Sequence, residues 1–146
     1  MAQPTGPLEG GCFCRNVRYR ARSVFDAVWC HCTLCRRFGV PAAASFSVVE
    51  DDFTILRGTP KPFASSSFFT RHFCPDCGTH IFGTDARPPQ PKVGARLVSV
   101  AITTLDEPER VPPHIHQWWA NRVTWFERWN DLPRVEHGTL PHPSQR

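Results

Sequence analysis

Seven cysteines gathered into three short clusters constrain this chain more than any other feature. The clusters are Cys12-Phe13-Cys14, Cys30-His31-Cys32-Thr33-Leu34-Cys35 and Cys74-Pro75-Asp76-Cys77, and no cysteine lies outside them. The central one combines C-x-C and C-x-x-C spacing around a shared Cys32. An odd number of thiols at such spacings suits metal ligation better than a disulfide framework. A thioredoxin-like role for either C-x-x-C is disfavoured, because further cysteines stand at metal spacing and no helical run follows.

Zinc takes about four tetrahedral ligands in a structural site and keeps one position open in a catalytic one. Seven cysteines therefore divide as four plus three. Cys12, Cys14, Cys74 and Cys77 would close one site and staple the N-terminal segment to the middle of the chain. Cys30, Cys32 and Cys35 would make a three-thiolate site lacking one ligand. Spacing alone leaves open which pair joins which, and a split that joins the triplet to part of another cluster remains available. Three thiolates around one zinc carry a net negative charge. Such a site activates water poorly but can take an incoming thiol and keep it a nucleophile. The competing reading is that both ions only hold the fold, with His72, His80, His114 or His116 completing the triplet. Cys30 and Cys32 share a face if the segment is extended, which points His31 away from the ion.

The rest of the sequence is that of a mainly β chain with little helix. Fifteen prolines and nine glycines among 146 residues favour short strands joined by turns. Val17-Arg18-Tyr19-Arg20-Ala21-Arg22 alternates apolar and basic residues as a half-exposed strand does. Strands are expected at 25–29, 41–49, 53–56, 63–73 and 79–84, and the strongest buried strand at 97–103. Cys12 and Cys14 are placed in an extended segment, with both thiols on one face. Gly58 to Pro62 reads as a turn, and Cys74 to Gly78 as a tight turn of the zinc-knuckle type. An extended segment is expected near 114–119 and a helical turn near Trp125. Residues 1–8 read as a loose leader, 9–133 as one zinc domain and 134–146 as a tail that frays.

The formal net charge of +4 first suggests acidic partners. Seven zinc-bound thiolates and two zinc ions would bring it to about +1, and the basic residues are scattered, so the nucleic-acid reading loses its motive. No signal-peptide pattern opens the chain and no apolar run is long enough to span a membrane. A cytoplasmic location with reduced thiols is the expectation, and oligomeric state is open.

Several stretches resemble one family. Gly11-Cys12-x-Cys14-x-x-Val17-Arg18-Tyr19, Cys30-His31-Cys32-x-x-Cys35-Arg36-Arg37, Gly58, Arg71-x-Phe73-Cys74-x-x-Cys77-Gly78-Thr79, Leu105-Asp106 and His114-Ile115 are similar to the glutathione-dependent formaldehyde-activating enzyme family. That family is also called the centromere protein V or Gfa domain, and the resemblance covers roughly residues 8 to 133. It implies an Mss4-like fold of short coiled antiparallel sheets built around two zinc sites. It implies a structural zinc on Cys12, Cys14, Cys74 and Cys77, and a catalytic zinc on Cys30, Cys32 and Cys35. It further implies S-(hydroxymethyl)glutathione synthase chemistry, a carbon–sulfur lyase in reverse, joining glutathione to formaldehyde. The alternatives are a non-catalytic zinc module for protein contact and a thiol-adduct enzyme for another thiol. The chain departs from the family at Arg15, where Gly is frequent, at Thr33, where Ser is frequent, and in its Trp-rich stretch 117–129. Arg36, Arg37 and Arg71 flank the clusters, and at least one of them is expected to meet a substrate carboxylate.

Overall fold

The structure is a computed structural model that describes residues 4–39 and 41–136. Ten short strands and one helical turn follow in order: β1 (Leu8–Gly11), β2 (Arg18–Ala21), β3 (Asp26–Cys30), α1 (Cys35–Phe38), β4 (Ala43–Val49), β5 (Phe53–Arg57), β6 (Lys61–Ala64), β7 (Phe69–Phe73), β8 (His80–Asp85), β9 (Leu97–Ala101) and β10 (Ile115–Gln117). They form a three-stranded sheet in the order β1-β2-β5 and a seven-stranded sheet in the order β10-β3-β4-β9-β8-β7-β6. All pairs are antiparallel except β10 with β3, which run parallel at one edge.

The core forms where the two sheets face each other. From the small sheet, alternation in β2 buries Tyr19 and Ala21 and leaves Arg18 and Arg20 half-buried. From the large sheet come Phe46 and Val48 of β4, Val98 and Val100 of β9, and Ile81 and Phe82 of β8. Phe53 of β5 bridges the two, with its ring 5.4 Å from Tyr19 and 4.8 Å from Phe82. Cys12 and Cys74 belong to this same buried cluster, so the four-cysteine group grows directly out of the core. Strand β9, which buries Val98 and Val100, sits at the centre of the large sheet.

Local expectations change in several places, and the strand expected at 63–73 is divided between β6 and β7 by a bend at 65–68. Leu8, assigned to the leader, opens β1 and is buried, and Arg110 donates from Nη2 to Thr5 O (2.5 Å) and from Nη1 to Pro7 O (3.4 Å). Lys61 and Pro62, read as turn, begin β6. Strand β6 is an edge strand, the one place in a sheet where a residue without an N–H is tolerated. Cys12 and Cys14 lie in the turn between β1 and β2 rather than in a strand, as Cys12 N–H donates to Val17 O (3.1 Å) and Arg15 N–H to Cys12 O (3.0 Å). Arg15 takes a left-handed φ of 65° there. Of the expected tail, residues 137–146 lie outside the described residues. The extended segment and helical turn expected beyond His114 appear as β10 and a 3-10 stretch at Thr124–Asp131.

Candidate metal centres

Two turns, far apart in sequence, build the first centre. In Cys74-Pro75-Asp76-Cys77-Gly78, Gly78 N–H donates to Cys74 O (3.0 Å), and Gly78 takes a φ of 74° that a side chain would resist. The β1–β2 turn meets it side by side. Phe13 N–H donates to Thr79 Oγ1 (3.1 Å) and Asn16 Nδ2 to Asp76 Oδ2 (2.9 Å). The sulfurs of Cys12, Cys14, Cys74 and Cys77 all fall within 4.8 Å of one another. Cys14 Sγ lies 3.5 Å from Cys12 Sγ and 3.7 Å from Cys74 Sγ. Tetrahedral ligation with metal–sulfur bonds of about 2.3 Å places sulfurs about 3.8 Å apart, so the four donors fit one ion closely. Burial pushes the Cys77 thiol up, but hydrogen bonds from Thr79 and Cys14 outweigh it and bring the thiol to about 6.

The second centre is local in sequence. Cys30 ends β3 and is buried. The chain then bends, and Cys35 opens α1. Cys32 is held between them. Its Sγ accepts from Cys35 N–H (3.2 Å) and its carbonyl accepts from Arg36 N–H (3.1 Å). The three sulfurs lie within 4.8 Å of one another, and Cys32 and Cys35 keep part of their surface exposed. A hydrogen bond from the Cys30 thiol is the largest cause that holds the Cys35 thiol down at about 5. Burial works against it, and the Arg71 guanidinium, with Nη2 at 3.5 Å from Sγ, supports it. Cys30 is pushed up in turn by donating to Cys35 and by burial. Donor sets made only of thiolates suit soft or borderline metals, and both clusters can hold a metal ion.

Among the described residues, no histidine joins either sulfur group. His72 stacks on Phe82 with ring centroids 4.3 Å apart. His80 packs 5.3 Å from Phe38, and burial, then the Arg71 charge, push it down to about 4. His114 is exposed, and its N–H donates to Ala27 O (3.0 Å). His116 Nδ1 lies 2.9 Å from Nε2 of His31. His31 is fully buried, turned from the thiols, with Trp119 and Phe126 edge-on to its ring at 5.1 and 4.8 Å. This packing docks the Trp-rich segment on the flank of the triplet. Arg36 adds a second tie, from Nη1 to Asn121 O (2.9 Å). Sequence reasoning missed this roof, since nothing in the spacing of His31 and His116 announces that β10 pairs with β3.

Beside α1 opens a cleft of about 610 Å³. Arg15, Trp29, Phe38, Ala43, Ala44 and His80 are among the residues that line it. The small side chains of Ala43 and Ala44 in β4 leave space here. No helix among the described residues is long and apolar enough to cross a membrane.

Comparison with known proteins adds an independent line. The model of a family described as glutathione-dependent formaldehyde-activating enzyme matches residues 7–121. A Halomonas elongata protein, provisionally named a glutathione-dependent formaldehyde-activating enzyme, is 26% identical over 131 residues, 82% of this chain and 80% of that protein. An uncharacterized lyase of Schizosaccharomyces pombe is 31% identical over 75 residues, 51% of this chain and 55% of that protein. A crystal structure of a Rhodobacter sphaeroides protein shares the fold with a TM-score of 0.58 at 20% identity, covering 75% of this chain and 99% of that one.

Proposed function

The chain belongs to the glutathione-dependent formaldehyde-activating enzyme family, and from that premise we propose that it is a zinc-dependent carbon–sulfur lyase and synthase that joins glutathione to formaldehyde. The observation that carries this reading is the contrast between the two sulfur groups. One offers four donors, and the other offers three with no histidine at hand. We assign a structural zinc to Cys12, Cys14, Cys74 and Cys77, and a catalytic zinc to Cys30, Cys32 and Cys35. Zinc held by Cys30, Cys32 and Cys35 would supply an electrophilic pole for a substrate thiolate.

The chain's own residues do the rest. Cys30, Cys32 and Cys35 fix the place of reaction on the rigid end of β3 and the first turn of α1. The cleft beside α1, lined by Phe38 and Gly39 but by none of the three cysteines, is large enough for the body of a tripeptide. Of the three flanking arginines, Arg36 is tied to Asn121 O and Arg71 is buried, which leaves exposed Arg37 to meet a substrate carboxylate. The bond that forms is carbon–sulfur, between the thiolate and the formaldehyde carbon. The carbonyl π pair moves to oxygen, and the proton given up by the thiol ends on that oxygen. No electrons are gained or lost overall.

The test is the exchange of labelled formaldehyde with glutathione, followed by NMR on zinc-loaded protein. Exchange above the rate in buffer, saturable in glutathione, is expected. A chain that holds two zinc ions and shows neither saturation nor acceleration overturns the proposal. The reading as a contact module draws on Trp118, Trp125 and Trp129, which are 66%, 59% and 56% exposed. It predicts that same negative outcome.

A further inference from the structure

Arg71 is an anomaly of burial. It sits in β7 and is only 5% exposed, yet among the described residues no carboxylate lies within ion-pair distance of it. Its Nε is buried without a hydrogen-bond partner. A buried guanidinium without a counter-charge costs several kcal/mol, roughly the scale of a whole domain's stability. Something in the structure must compensate it. The polar partner found there is sulfur: Nη2 donates to Cys35 Sγ at 3.5 Å.

The surroundings hold the head group in place. The guanidinium carbon lies 4.2 Å from the centre of the Phe38 ring and 5.2 Å from that of Phe69. Phe38 closes α1, the helix that Cys35 opens, so one short element supplies both the sulfur and one wall. Phe69 is two residues before Arg71 and shares its face of β7. Gly83, opposite Arg71 in β8, makes room for the Phe69 ring, which a Cβ there would meet at 2.3 Å. An arginine engaged on two rings and a sulfur is not free to clamp a substrate carboxylate.

We propose that Arg71 is a positioning residue for the three-cysteine centre: a buried counter-cation that balances the net negative charge of three thiolates around a divalent ion and fixes Cys35 as a ligand. The inference rests on the reading that this triplet holds zinc. The two charges then support each other. Without the thiolates the arginine has no counter-charge, and without the arginine the second centre carries an uncompensated charge against the protein interior.

The experiment titrates Co2+ and then Zn2+ into metal-free wild type, Arg71→Met and Arg71→Lys. Thiolate-to-cobalt absorption and chelator competition resolve the two sites. Wild type takes two ions per chain. In Arg71→Met the weaker site is expected to lose affinity by about 10–100-fold, the usual effect of removing a group that supports a ligand, while the four-cysteine site is unchanged. Arg71→Lys keeps the charge and is expected to retain most of the affinity. A merely structural arginine would not single out one site of two. Equal affinity at the second site in wild type and Arg71→Met overturns the inference and leaves the proposed function standing. A wild type that takes only one ion overturns both. Should Arg71→Met fail to fold, Arg71→Lys decides: retention of the second ion supports charge compensation, and its loss overturns it.

Discussion

Cys32→Ser is expected to bring adduct formation down by about 100-fold or more, roughly 2.7 kcal/mol of barrier, towards the rate of the uncatalysed reaction. The substitution is informative because it removes a donor and little else. Cys32 lies in the bend after β3, half-exposed, outside the core cluster. A serine oxygen can still accept the Cys35 N–H that now points at Sγ. The hydroxyl is a poor replacement for a thiolate on a soft metal site. The fold and the four-cysteine metal are therefore expected to persist, with metal content falling from two ions to one. Catalysis retained after loss of the second ion would remove the triplet from the mechanism.

Cys77→Ser is expected to act on the fold instead. The four-cysteine centre joins the β1–β2 turn to the turn before β8, and two of its members, Cys12 and Cys74, are core residues. A structural zinc site contributes an apparent 10–16 kcal/mol or so to folding, as much as the net stability of an ordinary domain. Removing one of four donors forfeits a large part of that. Soluble yield should collapse, and whatever folds should melt well below wild type and release zinc to a chelator at low concentration. A Cys77→Ser chain with wild-type melting and full zinc content would contradict the structural assignment. The two cysteine variants thus separate by kind: one loses rate and keeps its fold, the other loses its fold.

Each short cysteine cluster was legible in the sequence because ligand spacing is short-range information, whereas the meeting of Cys12 and Cys14 with Cys74 and Cys77 was left open by spacing. C-x-x-C with a following glycine can close on one ion in few ways, and Cys74 to Gly78 closes as expected. C-x-C is less decisive. It brings two sulfurs to one side in a strand or in a tight turn, and the protein uses the turn at Cys12 and a strand end at Cys30. The mainly β architecture was legible too, from turn residues and the apolar run that became β9. What the sequence hid depends on distant pairing. Strand β10 lies parallel to β3 at an edge, and that placement brings His116, Trp119 and Phe126 around His31. Nothing around Arg71 in the sequence marks it as buried, because one of the rings over its guanidinium is Phe38, more than thirty positions away. Pro62 looked like a turn because composition does not say whether a strand lies at an edge.

The central claim is that the Cys30–Cys32–Cys35 centre offers its ion three protein sulfurs and leaves the fourth position to substrate. Zinc K-edge X-ray absorption on the two-zinc protein, before and after saturation with glutathione, tests it most directly. The account predicts protein sulfurs and no nitrogen in the resting protein, with the sulfur count per zinc rising when glutathione is added and falling back when it is removed. A nitrogen neighbour in the resting protein, or a sulfur count that glutathione leaves unchanged, would contradict it.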